Sequence, residues 1–393
     1  MANIYRNEIT LVKPCLLMRA RGIRLRREYT AEAMKYEIGK KEDAEKDFKK
    51  ITGRPYQDSP KLFTEIFDAA GERYPRTDKG NPSFRADALK EIKTPTASLI
   101  NRVRFFEKRI SSFYTTFLHR ADANNIIHAD ADAGGTVTGR FAYRSPNLQQ
   151  LSKEDSEEDK YNKYHIRGCF EPRDGNAFVP IDYRQQEYKL FMDYAREEKV
   201  IASIMDGEDV HQTVADMLGV SRKKAKNISF ALLYGAGNEK LALMLDVSLK
   251  EAVYMRELYY ARLPNVKRFM EKVKEVANSR GYIKNKYGRI LHFRRGESYK
   301  SVNHLIQSTG ADTLKYAFTR IYKENKLDYF PVIALIHDEL LTELKPEHME
   351  LAEKYAEVMA DIYKGFSDIK LTASIEHSFT SLAVWDMKEG LAC

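Results

Sequence analysis

The sequence predicts an α+β protein in which short strands and long helices occupy separate stretches of chain. Residues 177–183, AFVPIDY, are apolar and end in a carboxylate, which reads as a buried strand. Residues 332–344, VIALIHDELLTEL, are two apolar runs flanking His-Asp-Glu, a hairpin with an acidic tip. Between them, residues 196–275 are helical by pattern, with breaks near Gly219 and Pro264. Strands and helices segregated in this way indicate α+β rather than alternating α/β.

The other elements follow in order. Residues 30–50, TAEAMKYEIGKKEDAEKDFKK, form a highly charged helix expected to be a solvated face. Helical patterns around 59–70 and 84–120 flank a Gly/Pro-rich loop, GERYPRTDKGNPS at 71–83, which carries three cations. A polar break, SKEDSEEDK, occupies 152–160. No period of 20–50 residues recurs, which excludes a solenoid. A chain of 393 residues has room for two or three domains, and 43% hydrophobic with 31% charged residues is a globular composition. A net charge of +8 permits a polyanionic partner without requiring one. Cys15, Cys169 and Cys393 are too few and too scattered for a disulfide framework or a zinc site, which points to a reducing compartment. No apolar run reaches the ~18–20 residues needed to span a bilayer. The start lacks the apolar core of a secretory signal, and Glu8 and Glu28 flank the Arg-rich MRARGIRLRREY, against a transit peptide.

Two constellations carry chemistry. Asp182 ends one strand and Asp338 sits in the hairpin turn. Brought together, two such carboxylates make a hard-cation site for magnesium; kept apart, they are ordinary turn aspartates. In RKKAKNISFALLYGAG, Arg222, Lys226, Phe230 and Tyr234 recur at steps of four and so share one helix face. Two cations followed by two aromatics suit phosphates and a flat ring better than a core or a mixed-charge surface. The polar TVTGRFAYRSPNLQQLS (136–152) offers Arg140, Asn147, Gln149 and Gln150 to base edges or phosphates, or is a plain surface loop. Two features are decoys. HADADAGG places His128, Asp130 and Asp132 on one strand face but lacks the ligand count of a calcium loop. GAG at 235–237 follows a helix, so it is no dinucleotide fingerprint.

With these segments in hand, the chain resembles the family A DNA polymerases, the bacterial DNA polymerase I type and its phage relatives. TGRFAYRSPNLQQL resembles TGRLSSxxPNLQN, PIDYRQQEYK resembles the DYSQIELR of motif A, and IHDELLTEL resembles the HDE of motif C. RKKAKNISFALLYG is similar to RxxxKxxxFGxxYG, motif B, with every key spacing intact. DVHQTVADMLGV, GYIKNKYGR, NHLIQSTGAD and the segments SPKLFTEIFDAAG and NPSFRADAL add weaker agreements in the right order, from about residue 8 onward.

The resemblance implies a right-hand polymerase fold with an antiparallel-sheet palm, helical fingers and a helical thumb. It places the thumb at 1–125 with the start of the palm, the palm at 126–195 and 263–393, and the fingers at 196–262. It implies a template-directed DNA polymerase that adds dNTPs to a primer 3′-hydroxyl with two Mg2+ ions. Asp182 and Asp338, assisted by the Tyr183 carbonyl, would bind the metals. Arg222, Lys226, His211 and Gln185 would meet the incoming dNTP, with Phe230 and Tyr234 by its sugar and base. Lys226 would give a proton to the departing pyrophosphate. Glu187 would wall off a 2′-hydroxyl. Arg140, Gln307 and His337 would read the primer–template minor groove. Asn147, Gln149 and Arg289 would join them on DNA, as would Lys108 in RVRFFEKRISSF.

This sequence departs from the family at Arg184, Gln186 and Lys189 in motif A, Ser229 and Ala231 in motif B, and Leu305 and Ser308 beyond. None removes a group the chemistry needs, although Gln186 stands beside the sugar gate. The expected setting is the cytoplasm of a bacterial or virus-infected bacterial cell, with an organelle as the other compartment. No membrane partner is expected. The match begins with the thumb, so no proofreading exonuclease is expected on this chain; a separate exonuclease or processivity factor would be its partner. A single-subunit RNA polymerase and a non-catalytic DNA-binding remnant are the rival readings.

Overall fold

The computed structural model describes residues 4–77, 79–90, 92–151, 163–367, 369 and 371–383. The polar break expected at 152–160 lies outside the described residues, as does Cys393.

The centre is a four-stranded antiparallel sheet in the order Ala373–Ile375, Ala177–Tyr183, Glu339–Leu344, Val332–Ile336. Its two middle strands and Val332–Ile336 are buried along their length, Asp182 alone being partly open. Continuous apolar runs, rather than alternating ones, are what strands covered on both faces require. The expected hairpin is present, with His337 and Asp338 as its two turn residues. Helices Ile4–Arg21 and Leu351–Asp361 pack on the sheet. The 24-residue helix Ser301–Glu324 runs between Ile4–Arg21, Leu351–Asp361 and Gln186–Ala195.

The helical stretch after the first central strand divides into Glu198–Met205, Val210–Leu218, Arg222–Leu233, Asn238–Leu245, Leu249–Arg262 and Pro264–Arg280. Gly219 ends one helix in the left-handed conformation (φ 67°), and Pro264 opens the last at its first turn, where a missing N–H costs nothing. Further breaks come where Asp209, Ser221 and Ser248 cap new helix starts through their side-chain oxygens.

Helix Arg27–Thr52 differs from the expected solvated face. It buries Thr30, Ala33, Glu37, Ala44 and Phe48 at helical spacing and packs against Pro95–Arg109. Glu37 is fully buried and takes Arg109 Nε at 2.9 Å and the Tyr114 hydroxyl at 2.6 Å. Its charge count hid a paired internal carboxylate. Likewise the pattern over 84–120 is interrupted: Pro95 starts a helix capped by Thr94, and a π-helical stretch spans Ile110–Thr115. A separate small core of Phe48, Phe63, Phe67, Phe84, Ile100 and Val103 closes this end of the molecule.

Candidate nucleotidyl-transfer site

Strand register brings the two aspartates together. Asp182 stands directly opposite Glu339 on the neighbouring strand, and the Tyr183 N–H reaches the Asp338 carbonyl at 3.4 Å. On the other side Ser374 faces Asp182 and donates to its carbonyl at 3.3 Å. The turn is braced from outside: Gln149 donates to the Leu335 carbonyl at 2.8 Å and accepts from the His337 N–H at 2.7 Å. His337 takes the left-handed backbone (φ 57°) that the tight turn demands. Glu339, the last acid of the motif, is 1% exposed and faces the Arg167 guanidinium at 3.3 Å, so its charge is matched internally.

The donor set suits a divalent magnesium-type ion: hard carboxylate oxygens at one sheet corner, partly open to solvent. Among the described residues no cluster of three or more His, Cys, Asp or Glu side chains forms a metal cage. A cation held here by Asp182 and Asp338 would complete its shell with a backbone carbonyl, water and substrate oxygens, as magnesium commonly does.

The cation–aromatic stripe survives as an exposed face. Ala225, Ile228, Ser229, Ala231, Leu232 and Leu233 bury the opposite side of the helix, leaving Arg222 and Lys226 exposed. The Phe230 and Tyr234 rings stack at 6.1 Å with 19° between planes, and Tyr234 is 47% exposed. Arg222 is not idle: its Nη2 lies 2.6 Å from Asp209 Oδ2, which also accepts from Gln185 Nε2 at 3.0 Å. Burial pushes the Asp209 carboxyl upward, but the hydrogen bonds from Arg222, the Gln212 N–H and Gln185 outweigh it and hold the group at about 2.

Glu187 ties the two halves together. One carboxylate oxygen takes the Arg140 guanidinium and the other the Tyr234 hydroxyl, the latter at 2.7 Å. The Gln307 side chain also lies against that hydroxyl. Burial, then the Glu187 charge, raises the Tyr234 phenol well above its ordinary value, so it remains a donor.

The other expected residues are buried, paired or on the surface. His211 is 1% exposed, packed against Tyr188 at 5.0 Å and Phe230 at 5.6 Å; burial lowers it to about 4 and keeps it neutral. The Gln149 amide is engaged by the hairpin backbone on both its atoms, so it braces that turn. Arg289 pairs with Asp312, Nη2 to Oδ1 at 2.6 Å, and with Glu8, and is 17% exposed. Asn147 is exposed and caps the turn Leu148–Gln150, and Lys108 is exposed on Pro95–Arg109. The His128 decoy separates as expected: Asp130 pairs with Arg19 and Asp132 with Arg144. Asp209 and Arg167 were missed. Asp209 carried a signal, an Asp immediately before an apolar helical run; Arg167 carried none.

Residues 28–382 match the family model described as DNA polymerase family A. The chain belongs to that family. Among similar family A proteins, DNA polymerase DpoZ of Salmonella phage PMBT28 is 29% identical over 329 residues, 72% of this chain and 51% of the phage protein. DNA polymerase I of Caldicellulosiruptor bescii is 27% identical over 75% of this chain and 39% of its own length. The thermostable DNA polymerase I of Thermus thermophilus is 24% identical over 91% and 45%. The chain spans about half the length of the curated relatives it matches. The polymerase domain of Pol1 from M. smegmatis, solved with DNA primer-template and dNTP, superposes with a TM-score of 0.85 at 23% identity, covering 95% of this chain and 70% of that one. That likeness bears out the right-hand fold: a small antiparallel sheet with helical layers on either side. No helix among the described residues is long and apolar enough to cross a membrane.

Proposed function

We propose that this chain is a template-directed DNA polymerase that extends a primer 3′-hydroxyl with dNTPs. The observation that carries it is Glu187, which follows the Asp182 strand on the next helix and accepts the Tyr234 hydroxyl of the stripe at 2.7 Å. The fold neighbour was captured with DNA primer-template and dNTP, which supports the same occupants here.

In this reading the thumb spans 1–125, the palm 126–195 and 263–393, and the fingers 196–262. Asp182 and Asp338, with the Tyr183 carbonyl, would hold a pair of magnesium ions. Bound magnesium would supply the positive charge that loosens the primer hydroxyl proton and balances the leaving phosphate. Arg222 and Lys226 orient the triphosphate, and Lys226 Nζ gives a proton to the departing pyrophosphate oxygen. Tyr234 and Phe230 offer a flat apolar face to sugar and base. Glu187, fixed by two partners, leaves a 2′-hydroxyl neither room nor a free acceptor. Arg140, Gln307 and His337 surround the primer terminus, where minor-groove acceptors of all correct pairs lie alike. Exposed Asn147 and Lys108 take the DNA backbone. The reaction takes place in the cytoplasm of a bacterial or phage-infected cell.

The test is primer extension on a primed DNA template with magnesium, comparing dNTPs with rNTPs. Template-directed extension with dNTPs alone is expected. Comparable extension with rNTPs would move the reading to an RNA polymerase relative and discard the Glu187 gate. Tight DNA binding without extension would leave a DNA-binding remnant.

A further inference from the structure

From the four hydrogen bonds that converge on Asp209, we infer that this carboxylate is an internal stand-in for a phosphate, holding Arg222 and Gln185 until a triphosphate displaces it. The inference rests on the reading of Arg222 as a triphosphate ligand.

Oδ1 accepts the His211 and Gln212 N–H groups, each at 2.9 Å, at the start of helix Val210–Leu218. Oδ2 accepts Arg222 Nη2 at 2.6 Å and Gln185 Nε2 at 3.0 Å. Gln185 belongs to the turn leaving the catalytic strand and Arg222 opens the stripe helix, so one acid links both. A guanidinium, an amide and two helix N-terminal N–H groups around an anion are what a phosphate oxygen would gather. The Arg222–Asp209 pair is 47% and 38% exposed, weak enough for an incoming anion to break. Asp209 stays ionised at every ordinary pH because its partners hold its pKa at about 2. It is a positioning residue: it acts through Arg222 and Gln185 and sets how much of the triphosphate affinity is withheld.

Asp209→Asn is the informative variant, because Asn caps a helix as well as Asp while losing the charge. The probe is inorganic tripolyphosphate, bound to the full chain and followed by calorimetry, in wild type, Asp209→Asn, Arg222→Ala and the double variant. Asp209→Asn should bind tripolyphosphate roughly two- to fivefold more tightly than wild type. That gain should shrink toward onefold in the Arg222→Ala background, and Asp209→Asn should still melt cooperatively, a few degrees below wild type at most. An equal gain in both backgrounds would mean a general charge effect and overturn the inference. Weaker binding by Asp209→Asn, or no binding by any variant, would overturn it too. The readout needs no catalysis, so it is separate from primer extension, on which the polymerase reading stands or falls.

Discussion

The two halves of the site are held by different means. The acidic half is set by backbone: Asp182 is placed by register against Glu339 and Ser374, and Asp338 by a two-residue turn braced through Gln149. The basic half is set by side chains: Arg222 by Asp209, and Tyr234 and Arg140 by Glu187, all with solvent near. Backbone register cannot shift without unpairing a strand, whereas a half-exposed ion pair exchanges readily for another anion. In the proposed reading, a rigid corner would hold metal and an exchangeable grip would hold substrate, as a repeated transfer reaction needs.

The largest expected effect tests the rigid half. Asp182→Ala or Asp338→Ala should lower extension by about a thousandfold or more, since each removes several kcal/mol of transition-state stabilisation. Primer–template affinity, read by gel shift, should stay near wild type. Robust extension by either variant would break the assignment of the acidic corner.

Next comes the support beneath that corner. Arg167→Met leaves the Glu339 carboxylate buried without its guanidinium and should cost about 3–5 kcal/mol in urea unfolding. Adding Glu339→Leu should recover most of that, because an apolar pair needs no charge balance. A single variant as stable as wild type would show that the corner does not depend on this pair.

The seam between the halves should respond to pH. His211 sits between Tyr188 and Phe230 with a pKa lowered from 6.5 to about 4, by burial first. The folded state thus favours the neutral ring, so its contribution is complete above pH 6.5 and is lost as pH falls through 4. That loss is at most about 3 kcal/mol. His211→Phe should flatten the stability profile between pH 6.5 and 4 in urea titrations. An unchanged slope would place the pH dependence on other groups.

The legibility of the chain follows the same division. The strands, the hairpin and the Gly219 and Pro264 breaks were readable because apolar runs and backbone-restricted residues act locally. The stripe was readable because a helix face is a matter of spacing. What spacing cannot carry is the partner. The same Arg symbol stands for a half-exposed pair with Asp209 at Arg222 and for a largely buried pair with Asp312 at Arg289. Glu37 read as solvated charge because its partner, Arg109, lies 72 residues away. Nothing local marks Gln149 as a brace, because its hairpin acceptor comes from the far end of the chain. Long-range pairing decides whether a polar side chain is spent or available, and no local pattern records it.

The smallest effects sharpen the exchangeable half. Glu187→Ala opens space where a 2′-hydroxyl would lie and should narrow the preference for dNTP over rNTP by about 10- to 100-fold in kcat/KM. Tyr234→Phe keeps the stacked ring but removes the 2.7 Å hydrogen bond to Glu187, worth roughly 1 kcal/mol. It should narrow the same preference only about fivefold, because Arg140 still holds the other carboxylate oxygen. If Tyr234→Phe matched Glu187→Ala in severity, the tyrosine would be the part that fixes the gate and Arg140 incidental. If it changed nothing, the gate would be held by Arg140 alone, and the Tyr234–Glu187 bond would serve only the substrate-free state.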